Sequence, residues 1–238
     1  MAKKAKFKRV LLKLSGEALM GDASYGISTQ MLSYVAGEIK ALREMQVDLG
    51  LVIGAGNIFR GVAGAISGMD RASADNMGML ATVINALAIH DALERAGVTA
   101  RVLSAIAMPS VCETYYRQKA LHHLSKDRVV IFAAGTSNPY FTTDTAAVLR
   151  GLEIEADVIC KATRVDGVYD RDPVKNKDAV RFNHLSFDEV LQRRLKVMDA
   201  AAISLAMDNN KAIMVFNMNT AGNMERAICG EAVGTLIS

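Results

Sequence analysis

The sequence contains no tryptophan, only three prolines and no long apolar run, and each shortage excludes a class of protein. Without a stretch rich in Pro, Ser or Gly that could serve as a linker, we predict one domain over residues 1–238, with a basic tail at residues 1–8. Lys13 interrupts the apolar segment VLLKL near the start, so that no signal-peptide core forms, and no segment reaches the length of a membrane span. The sequence therefore predicts a soluble protein without a membrane partner.

Cysteine is also scarce. Cys112, Cys160 and Cys229 are odd in number, lie far apart in apolar sequence and form no CxxC pair. Cysteines of this kind are typical of reduced, buried thiols in a reducing compartment. We therefore expect a cytoplasmic location.

Positive and negative charges nearly balance each other, with a formal net charge of +3. The most visible basic cluster is the N-terminal segment AKKAKFKR, which we interpret as a solvated tail. Proteins that bind nucleic acids concentrate Lys and Arg along one face, often beside stacking aromatic rings, and this sequence has no such stripe. It thus predicts no specific nucleic-acid partner.

Strand and helix patterns alternate from Val10 to the C-terminus, in a chain whose residues are 51% hydrophobic. This alternation is typical of an α/β fold in which helices cover both faces of a mostly parallel sheet. The predicted strands cover residues 10–14, 49–53, 98–106, 129–134, 156–163 and 212–216. The predicted helices cover residues 27–45, 72–95, 113–124, 146–152, 185–192, 197–209 and 222–229.

The helix predicted at 72–95 is the longest, and its apolar residues cover more than one face. Such a helix lies either inside the fold or against another subunit. Asp75, near its start, either favours the helix N-terminus or faces a ligand.

The segment GTSNPYFTTD, residues 135–144, follows a predicted buried strand and precedes a predicted helix. Gly135 and Asn138 suit positive-φ or tight-turn geometry, and Thr142, Thr143 and Asp144 are residues that cap helices. A helix N-terminus with hydroxyl groups beside it can hold a phosphate. An ordinary capped turn explains this segment equally well when it is taken alone.

Two further predicted strands end in glycine turns, at Ser15–Gly16 and at Gly54–Gly56. The carboxyl ends of parallel strands lie along one edge of a sheet, where ligands bind. A buried Lys13 would cost several kcal/mol unless it were paired, so we expect it to face a site at this edge; the alternative is an edge strand facing water. Three amide-rich turns could hold more phosphates than one mononucleotide carries, which indicates a kinase with donor and acceptor phosphates in line.

The two common nucleotide-binding motifs are absent. GAGNIF has Phe59 in place of the last glycine of GxGxxG, and Gly16 to Ala23 has P-loop spacing without its Lys and Ser/Thr. The four histidines (His90, His122, His123 and His184) lie outside the glycine turns. A phosphate monoester is mostly a dianion at pH 7, so a phosphate acceptor requires no general base.

The segments KLSGEAL, GNIFRG, MGMLATV, GTSNPYFTTDTAA, KATRVDGVY, LKVMDAAA and VFNM follow one another in an order that resembles the bacterial UMP kinases of the amino acid kinase superfamily. The resemblance covers nearly the whole chain. It implies a single-domain αβα sandwich with a mostly parallel central sheet. It also implies Mg²⁺-dependent transfer of the ATP γ-phosphoryl group to UMP in pyrimidine nucleotide synthesis.

The resemblance also assigns residues to roles. It implies that Lys13 neutralises the migrating phosphoryl group and that Asp144 orients this lysine or the metal, whose other ligands it leaves unknown. Lys161 and Asp199 would supply supporting charge. The ATP site would contain Lys13, Leu14, Ser15, Gly16, Gly56, Arg60, Thr163, Tyr169 and Asp172. The UMP site would contain Ala55, Asp75, Thr136, Ser137, Asn138, Pro139, Tyr140, Phe141, Thr142 and Thr143.

Members of the family are typically hexamers that GTP activates and UTP inhibits. One segment of this chain matches a region linked to GTP activation: Gly21, Asp22, Ala23, Ser24, Tyr25 and Gly26.

At two positions the chain departs from the family, which usually reads GGG and GTGNP where this sequence has Ala55 and Ser137. Because alanine is costly at positive φ, we expect Ala55 at negative φ, with Gly54 and Gly56 taking the unusual dihedrals.

Two alternatives remain open. A kinase of the same superfamily could phosphorylate a carboxylate or a carbamate, as acetylglutamate kinase and carbamate kinase do. A noncatalytic nucleotide sensor or an anion-storage protein could also use this fold, although the presence of Lys13 and Asp144 favours an enzyme.

Overall fold

The computed structural model describes residues 5–59 and 68–238. Within these ranges the helices are α1 (Thr29–Glu44), α2 (Arg71–Arg95), α3 (Arg117–Leu124), α4 (Thr143–Glu153), α5 (Phe187–Gln192), α6 (Ala200–Asp208) and α7 (Asn223–Ile228). The strands are β1 (Arg9–Leu14), β2 (Asp48–Ile53), β3 (Ala100–Ser104), β4 (Glu113–Thr114), β5 (Val129–Ala133), β6 (Val158–Thr163), β7 (Val168–Tyr169), β8 (Arg181–Phe182), β9 (His184–Leu185), β10 (Ile213–Asn217) and β11 (Gly234–Ile237).

Nine of these strands form one sheet in the order β4-β3-β5-β2-β1-β6-β10-β11-β9. Every neighbouring pair is parallel except β10 and β11. The central strand is β1, and its Lys13 lies between Val52 of β2 and Lys161 of β6. Strands β7 and β8 form a separate antiparallel pair.

The core lies on both faces of this sheet. Leu12 of β1 packs with residues of α1, α2 and α7, whereas its neighbour Leu11 packs on the other face with residues of α3, α4, α5 and α6. Each fully buried leucine contributes roughly 1.5–3 kcal/mol of transfer free energy. Helices therefore cover a mostly parallel sheet on both sides, and the predicted fold class is confirmed.

Two predicted helices start later than the sequence suggested, because short strands occupy their first residues. Residues 113–114 pair with β3 before α3, and residues 184–185 pair with β11 before α5. Helix α5 then begins after Ser186, which forms a reciprocal capping box with Glu189. A two-residue strand has too few positions to show a period of two, so the helical pattern masked it.

Helix α2 follows the N-cap Asp70, whose Oδ2 accepts a hydrogen bond from Ser73 N at 2.8 Å. It is not buried all round. Met77, Leu80 and Ile84 are 43%, 49% and 52% exposed, and their spacing places them along one side of the helix. An apolar stripe of three side chains thus remains open on α2.

The described end of the basic N-terminal segment lies against the fold. Ala5 and Phe7 pack on the core, Lys6 N donates to Ile228 O at 3.0 Å, and Lys8 N donates to Asp157 Oδ2 at 2.7 Å. Residues 5–8 are therefore held by contacts, in contrast to the solvated tail that we expected.

All three cysteines are within the described ranges and none forms a disulfide. Cys160 is buried as predicted, and burial raises the pKa of its thiol to about 12. Cys112 and Cys229 are partly exposed, so the prediction of burial is wrong for these two. No helix in the described part of the chain is long and apolar enough to cross a bilayer.

Candidate active site

The carboxyl ends of β1, β2, β5 and β6 meet at one edge of the sheet, and the three glycine turns follow the first three of them. The first two turns touch. A Cβ atom added to Gly16 would lie 2.4 Å from Asn57 Oδ1 and 2.6 Å from Gly54 O. Only glycine fits at this position without moving the neighbouring turn.

Two lysine ammonium groups lie on one carboxylate at this edge. Lys13 Nζ is 2.8 Å from Asp144 Oδ1, and Lys161 Nζ is 2.8 Å from Asp144 Oδ2. Lys13 is on the central strand and only 7% exposed, so the alternative of an edge strand facing water is wrong. We call Lys13, Asp144 and Lys161 the charge cluster.

Burial and charge act in opposite directions within the charge cluster. Burial disfavours ionisation of Asp144, but the ammonium groups of Lys13 and Lys161 outweigh it and hold the pKa of the carboxyl below its usual value. Burial also lowers the pKa of Lys161; Asp144 opposes this effect, and the charge of Lys13 adds to it. The cluster carries a net positive charge, which suits a site for phosphate groups.

Asp199 stabilises the start of α4 from the side. Its carboxylate caps α6 by accepting from Ala202 N at 2.8 Å, and it also accepts hydrogen bonds from Thr145 Oγ1 at 2.9 Å and from Thr142 Oγ1. Its charge also opposes the lowering of the Lys161 pKa. Asp199 thus positions the helix that carries Asp144 and adds a weaker electrostatic effect.

A cavity of about 410 Å³, here called cavity A, opens between α2 and the turn before α4. Six of the residues predicted to bind UMP line it: Ala55, Asp75, Thr136, Phe141, Thr142 and Thr143. Gly56, which was predicted for ATP, lines it as well. The lining does not include Ser137, Asn138, Pro139 or Tyr140, and sequence reasoning missed Phe59, Arg71, Gly78, Met79, Thr82 and Gly135.

Asp75 faces cavity A, and the alternative of a helix-capping role is wrong because Asp70 is the N-cap. Its Oδ2 accepts hydrogen bonds from Arg71 Nε and from Tyr140 N, both at 2.8 Å. Arg71 also stands over the Tyr140 ring at 5.5 Å. The four-residue spacing of Arg71 and Asp75 was the sequence signal that could have revealed this pair.

The backbone of the turn before α4 differs in part from the prediction. Gly135 has φ 56° as expected, and Asn138 takes tight-turn geometry without positive φ; the unexpected residue is Ser137, with φ 63°. The amide and side chain of Asn138 bond to Thr136. Ala134 and Tyr140 in the same turn are also at positive φ, with φ 60° and 73°, so the turn itself sets these conformations rather than the type of side chain.

Ala55 is at negative φ as predicted, but neither Gly54 nor Gly56 has positive φ, so that part of the prediction is wrong. At Gly54 the requirement is for space, because an added Cβ would lie 3.2 Å from Gly16 N. The amide groups of Ala55 and Gly56 make no hydrogen bond within residues 5–59 and 68–238. Together with the N-terminus of α4, which begins at Thr143 in the cavity lining, these groups can receive an anion.

A second cavity of about 630 Å³, here called cavity B, lies on the other side of the charge cluster. Lys161, Thr163, Tyr169 and Asp172 line it, as expected for an ATP site. Sequence reasoning missed its other basic residues, which include Arg171, Lys175, Arg193, Arg194 and Lys196. The RRLK segment was a visible signal for the last three of these. These cations make cavity B suited to a polyphosphate.

Lys13, Leu14, Ser15 and Gly16 line neither cavity; they lie at the end of β1 between the two. Arg60 lies outside the described residues. In the rest of the chain, no histidine lines cavity A or cavity B. His123, for example, lies 3.1 Å from Glu113 Oε1 and 3.1 Å from Arg128 Nη1.

Residues 5–59 and 68–238 contain no group of three His, Cys, Asp or Glu side chains that could hold a metal ion by itself. The charge cluster nevertheless offers one oxygen. Asp144 Oδ1 is buried, and its contact with Lys13 lacks hydrogen-bond geometry. A carboxylate oxygen beside a phosphate site suits Mg²⁺, which proteins commonly bind through one or two carboxylates together with substrate phosphates.

The segment expected to have a regulatory role, residues 21–26, touches the turn after β2. Gly26 N donates to Asn57 O and Asn57 Nδ2 donates to Gly26 O, both at 2.9 Å. Gly21 and Asp22 line a third cavity of about 470 Å³, and Tyr25 is 68% exposed.

Known proteins are similar to this chain in both sequence and fold. The sequence profile of the amino acid kinase family matches residues 8–217. A uridylate kinase of Paramagnetospirillum magneticum is 56% identical over 238 residues, which cover all of this chain and 99% of that protein. The crystal structure of UMP kinase from Bacillus anthracis superposes with a TM-score of 0.94 at 40% identity and covers 98% of this chain and 96% of its own. That of UMP kinase from Ureaplasma parvum gives 0.91 at 36% identity, with full coverage of both chains.

The parallel sheet, the two cavities at its carboxyl edge and the match over residues 8–217 agree with one another. The chain belongs to the amino acid kinase family.

Proposed function

We propose that this protein is a UMP kinase, which transfers the γ-phosphoryl group of ATP to UMP and releases ADP and UDP. The observation that carries the proposal is the position of the charge cluster between two cavities of suitable size and charge. The relatives of similar length are named uridylate kinase or UMP kinase, which supports UMP as the acceptor. The whole described chain would act as one catalytic domain.

UMP would occupy cavity A and ATP would occupy cavity B. The free amides of Ala55 and Gly56 and the start of α4 would bind the UMP phosphate, while Asp75 would accept a hydrogen bond from the ribose. The basic side chains of cavity B would hold the ATP phosphates, with Thr163, Tyr169 and Asp172 beside the nucleoside. The γ-phosphate of ATP then lies next to Lys13.

Lys13 would neutralise the charge that moves between the two nucleotides, because its ammonium is buried and already held at the meeting point. Asp144 keeps Lys13 and Lys161 in place and remains ionised because its pKa is lowered. The UMP phosphate is mostly a dianion at pH 7 and attacks without a general base. Mg²⁺ bound with ATP would neutralise further phosphate charge, with Asp144 as an available ligand.

Regulation and assembly are further parts of the proposal. The apolar stripe of α2 supports association with other copies of the chain, as in the hexamers of the family. The contacts between Gly26 and Asn57 support an effect of segment 21–26 on the acceptor turn, through which GTP would activate; UTP would inhibit. The absence of disulfides between the three described cysteines supports a cytoplasmic location.

An acceptor panel tests the proposed activity. ADP release from Mg²⁺-ATP would be measured with UMP, CMP, dUMP, N-acetylglutamate and carbamate at equal concentration. We expect UMP to give the highest kcat/KM, with dUMP weaker because the hydrogen bond from the ribose to Asp75 is lost; a charged hydrogen bond contributes about 1.5–3 kcal/mol. Turnover of either acid in preference to UMP would reject the proposal, and so would the absence of turnover with every acceptor.

A further inference from the structure

Two buried asparagines connect the acceptor turn to helix α2. Asn57 is 1% exposed and Asn85 is fully buried. Asn57 Nδ2 donates to Asn85 Oδ1 at 3.0 Å, and Asn85 Nδ2 donates back to Asn57 Oδ1 at 2.8 Å. We propose that this amide pair is a positioning unit that aims the backbone N–H of Ala55 into cavity A for the acceptor phosphate, an inference that rests on the proposed function.

Every amide hydrogen of the pair has an acceptor. The second hydrogen of Asn57 Nδ2 goes to Gly26 O at 2.9 Å, and that of Asn85 Nδ2 goes to Gly54 O at 2.7 Å. The four bonds form a closed network in the protein interior. Because a buried amide without a partner is strongly disfavoured, this network admits one arrangement of the side chains.

The bond to Gly54 determines the direction of the next amide group. The C=O of Gly54 and the N–H of Ala55 belong to the same peptide unit, which is planar and trans, so the two groups point in opposite directions. Asn85 draws the carbonyl toward α2. The N–H of Ala55 must then point away from Asn85, and it makes no hydrogen bond within the described part of the chain.

The other side of this peptide is held as well. Gly54 N donates to Leu14 O at 2.9 Å as the last contact between β2 and β1, and Ala55 O accepts from Ile58 N at 2.9 Å. Among the described residues, Asn85 supplies the one side-chain hydrogen bond to the peptide between them. Without this hydrogen bond the peptide between Gly54 and Ala55 could rotate, and the Ala55 N–H would no longer have a fixed direction. The sheet and the following turn would remain.

Asn57 also contacts the part of the site proposed for ATP, the phosphoryl donor. Its Oδ1 is the atom that a Cβ on Gly16 would meet at 2.4 Å, so Asn57 also packs against the turn that ends β1. Asn85 makes no contact of this kind. Asn85 reaches that turn through its partners Gly54 O and Asn57, so changes at Asn85 should affect the acceptor more than ATP, and changes at Asn57 should affect both nucleotides.

The test uses Asn85→Leu, the double variant Asn57→Leu/Asn85→Leu and the control Asn223→Leu. Asn223 is also a buried asparagine that donates to a backbone carbonyl, Asn217 O at 2.9 Å, but it lines neither cavity A nor cavity B. Equilibrium binding of UMP and of uridine would be measured by calorimetry. KM for ATP, kcat and resistance to urea would be measured on the same proteins.

For Asn85→Leu we expect UMP to bind at least about tenfold more weakly, while uridine binding, KM for ATP and kcat at saturating UMP change by less than about threefold. The double variant should regain resistance to urea, since neither amide is left alone, and should still bind UMP weakly. Asn223→Leu should lose resistance to urea without a change in UMP binding.

If Asn85→Leu does not fold, Asn85→Ser replaces it with the same expected result, because the shorter hydroxyl cannot reach Gly54 O. UMP binding within about twofold of the unsubstituted protein would overturn the inference, as would an equal loss for uridine or for the control. If the unsubstituted protein fails to phosphorylate UMP, the proposed function fails instead, and the two failures are thereby distinguished.

Discussion

Lys13 is a buried cation at the point where the two cavities meet, 2.8 Å from Asp144. Its charge matters most while the phosphoryl group migrates. We therefore expect Lys13→Met to lower kcat by at least about a hundredfold, roughly 2.7 kcal/mol, with a smaller effect on KM for UMP. Steady-state kinetics with both nucleotides varied would measure the two constants separately.

A matched control is Lys119→Met, which removes a partly exposed lysine whose partner is Glu113 and which lines neither cavity. This variant should retain the original kcat. A near-normal kcat for Lys13→Met in a folded protein would remove Lys13 from the transfer step.

The four histidines give a second prediction, which concerns the absence of a general base. Because the acceptor is already a dianion, replacing any one of the four histidines with glutamine should leave the rate at pH 7 within about threefold. Rates and circular dichroism spectra of the four variants would be compared. Loss of activity in one variant with an intact fold would contradict transfer without a general base.

Ser137 and Ala55 replace family glycines in different backbone conformations, with Ser137 at φ 63° and Ala55 at negative φ. In the folded state, a left-handed conformation costs a residue with a side chain about 1–2 kcal/mol. Replacement by glycine destabilises the folded state by about 0.4–1 kcal/mol, because the unfolded chain gains conformational entropy. Ser137→Gly should therefore stabilise the protein by up to about 1 kcal/mol, and Ala55→Gly should destabilise it by about 0.4–1 kcal/mol. Urea unfolding of both variants would show the opposite signs; a shift of the same sign in both would contradict the argument.

At this scale the sequence predicted the residues that depend on type and position in a strand or turn. Lys13 was recognisable because an isolated cation in an apolar strand requires a partner. The contact of Asp75 with Tyr140 was not recognisable, since it depends on how α2 meets a turn 65 residues away. Asn57 and Asn85 were missed for the same reason.

Helix α2 carries the surface that we propose for contact with another copy of the chain. Its three exposed apolar side chains, Met77, Leu80 and Ile84, are a surface that association would cover. We expect Ile84→Asp to reduce the oligomer to smaller species, measured by light scattering, because a buried unpaired carboxylate opposes the contact. Val174→Asp, at a more exposed valine in a loop, is the control; unchanged association for Ile84→Asp would place the interface elsewhere.

The elements themselves followed from periodicity where they were long. Helix α2 and strands β1, β2 and β5 were predicted to within one residue of their observed bounds. The short strands β4 and β9 were missed, because each owes its existence to one neighbouring strand, β3 or β11, and to no pattern of its own. Tertiary pairing decides such segments.

At the scale of the molecule, the parallel sheet followed from the alternation of strands and helices, and the edge that carries the site followed from the glycine turns. The shape and charge of cavity B could not be predicted from the sequence. Its basic residues come from the loop between β7 and β8 and from the segment after α5, which only the folded chain brings together.

The central claim is direct transfer from ATP in one cavity to UMP in the other across the charge cluster. No histidine of the described chain lines either cavity, and Cys160, the cysteine next to Lys161, is buried with a raised pKa. The most direct measurement is the stereochemical course at the γ-phosphorus, with ATP made chiral by oxygen isotopes and sulfur. Direct transfer should invert the configuration at phosphorus, as a single in-line displacement requires. Retention of configuration would reveal a covalent phosphoenzyme and contradict direct transfer between the two cavities.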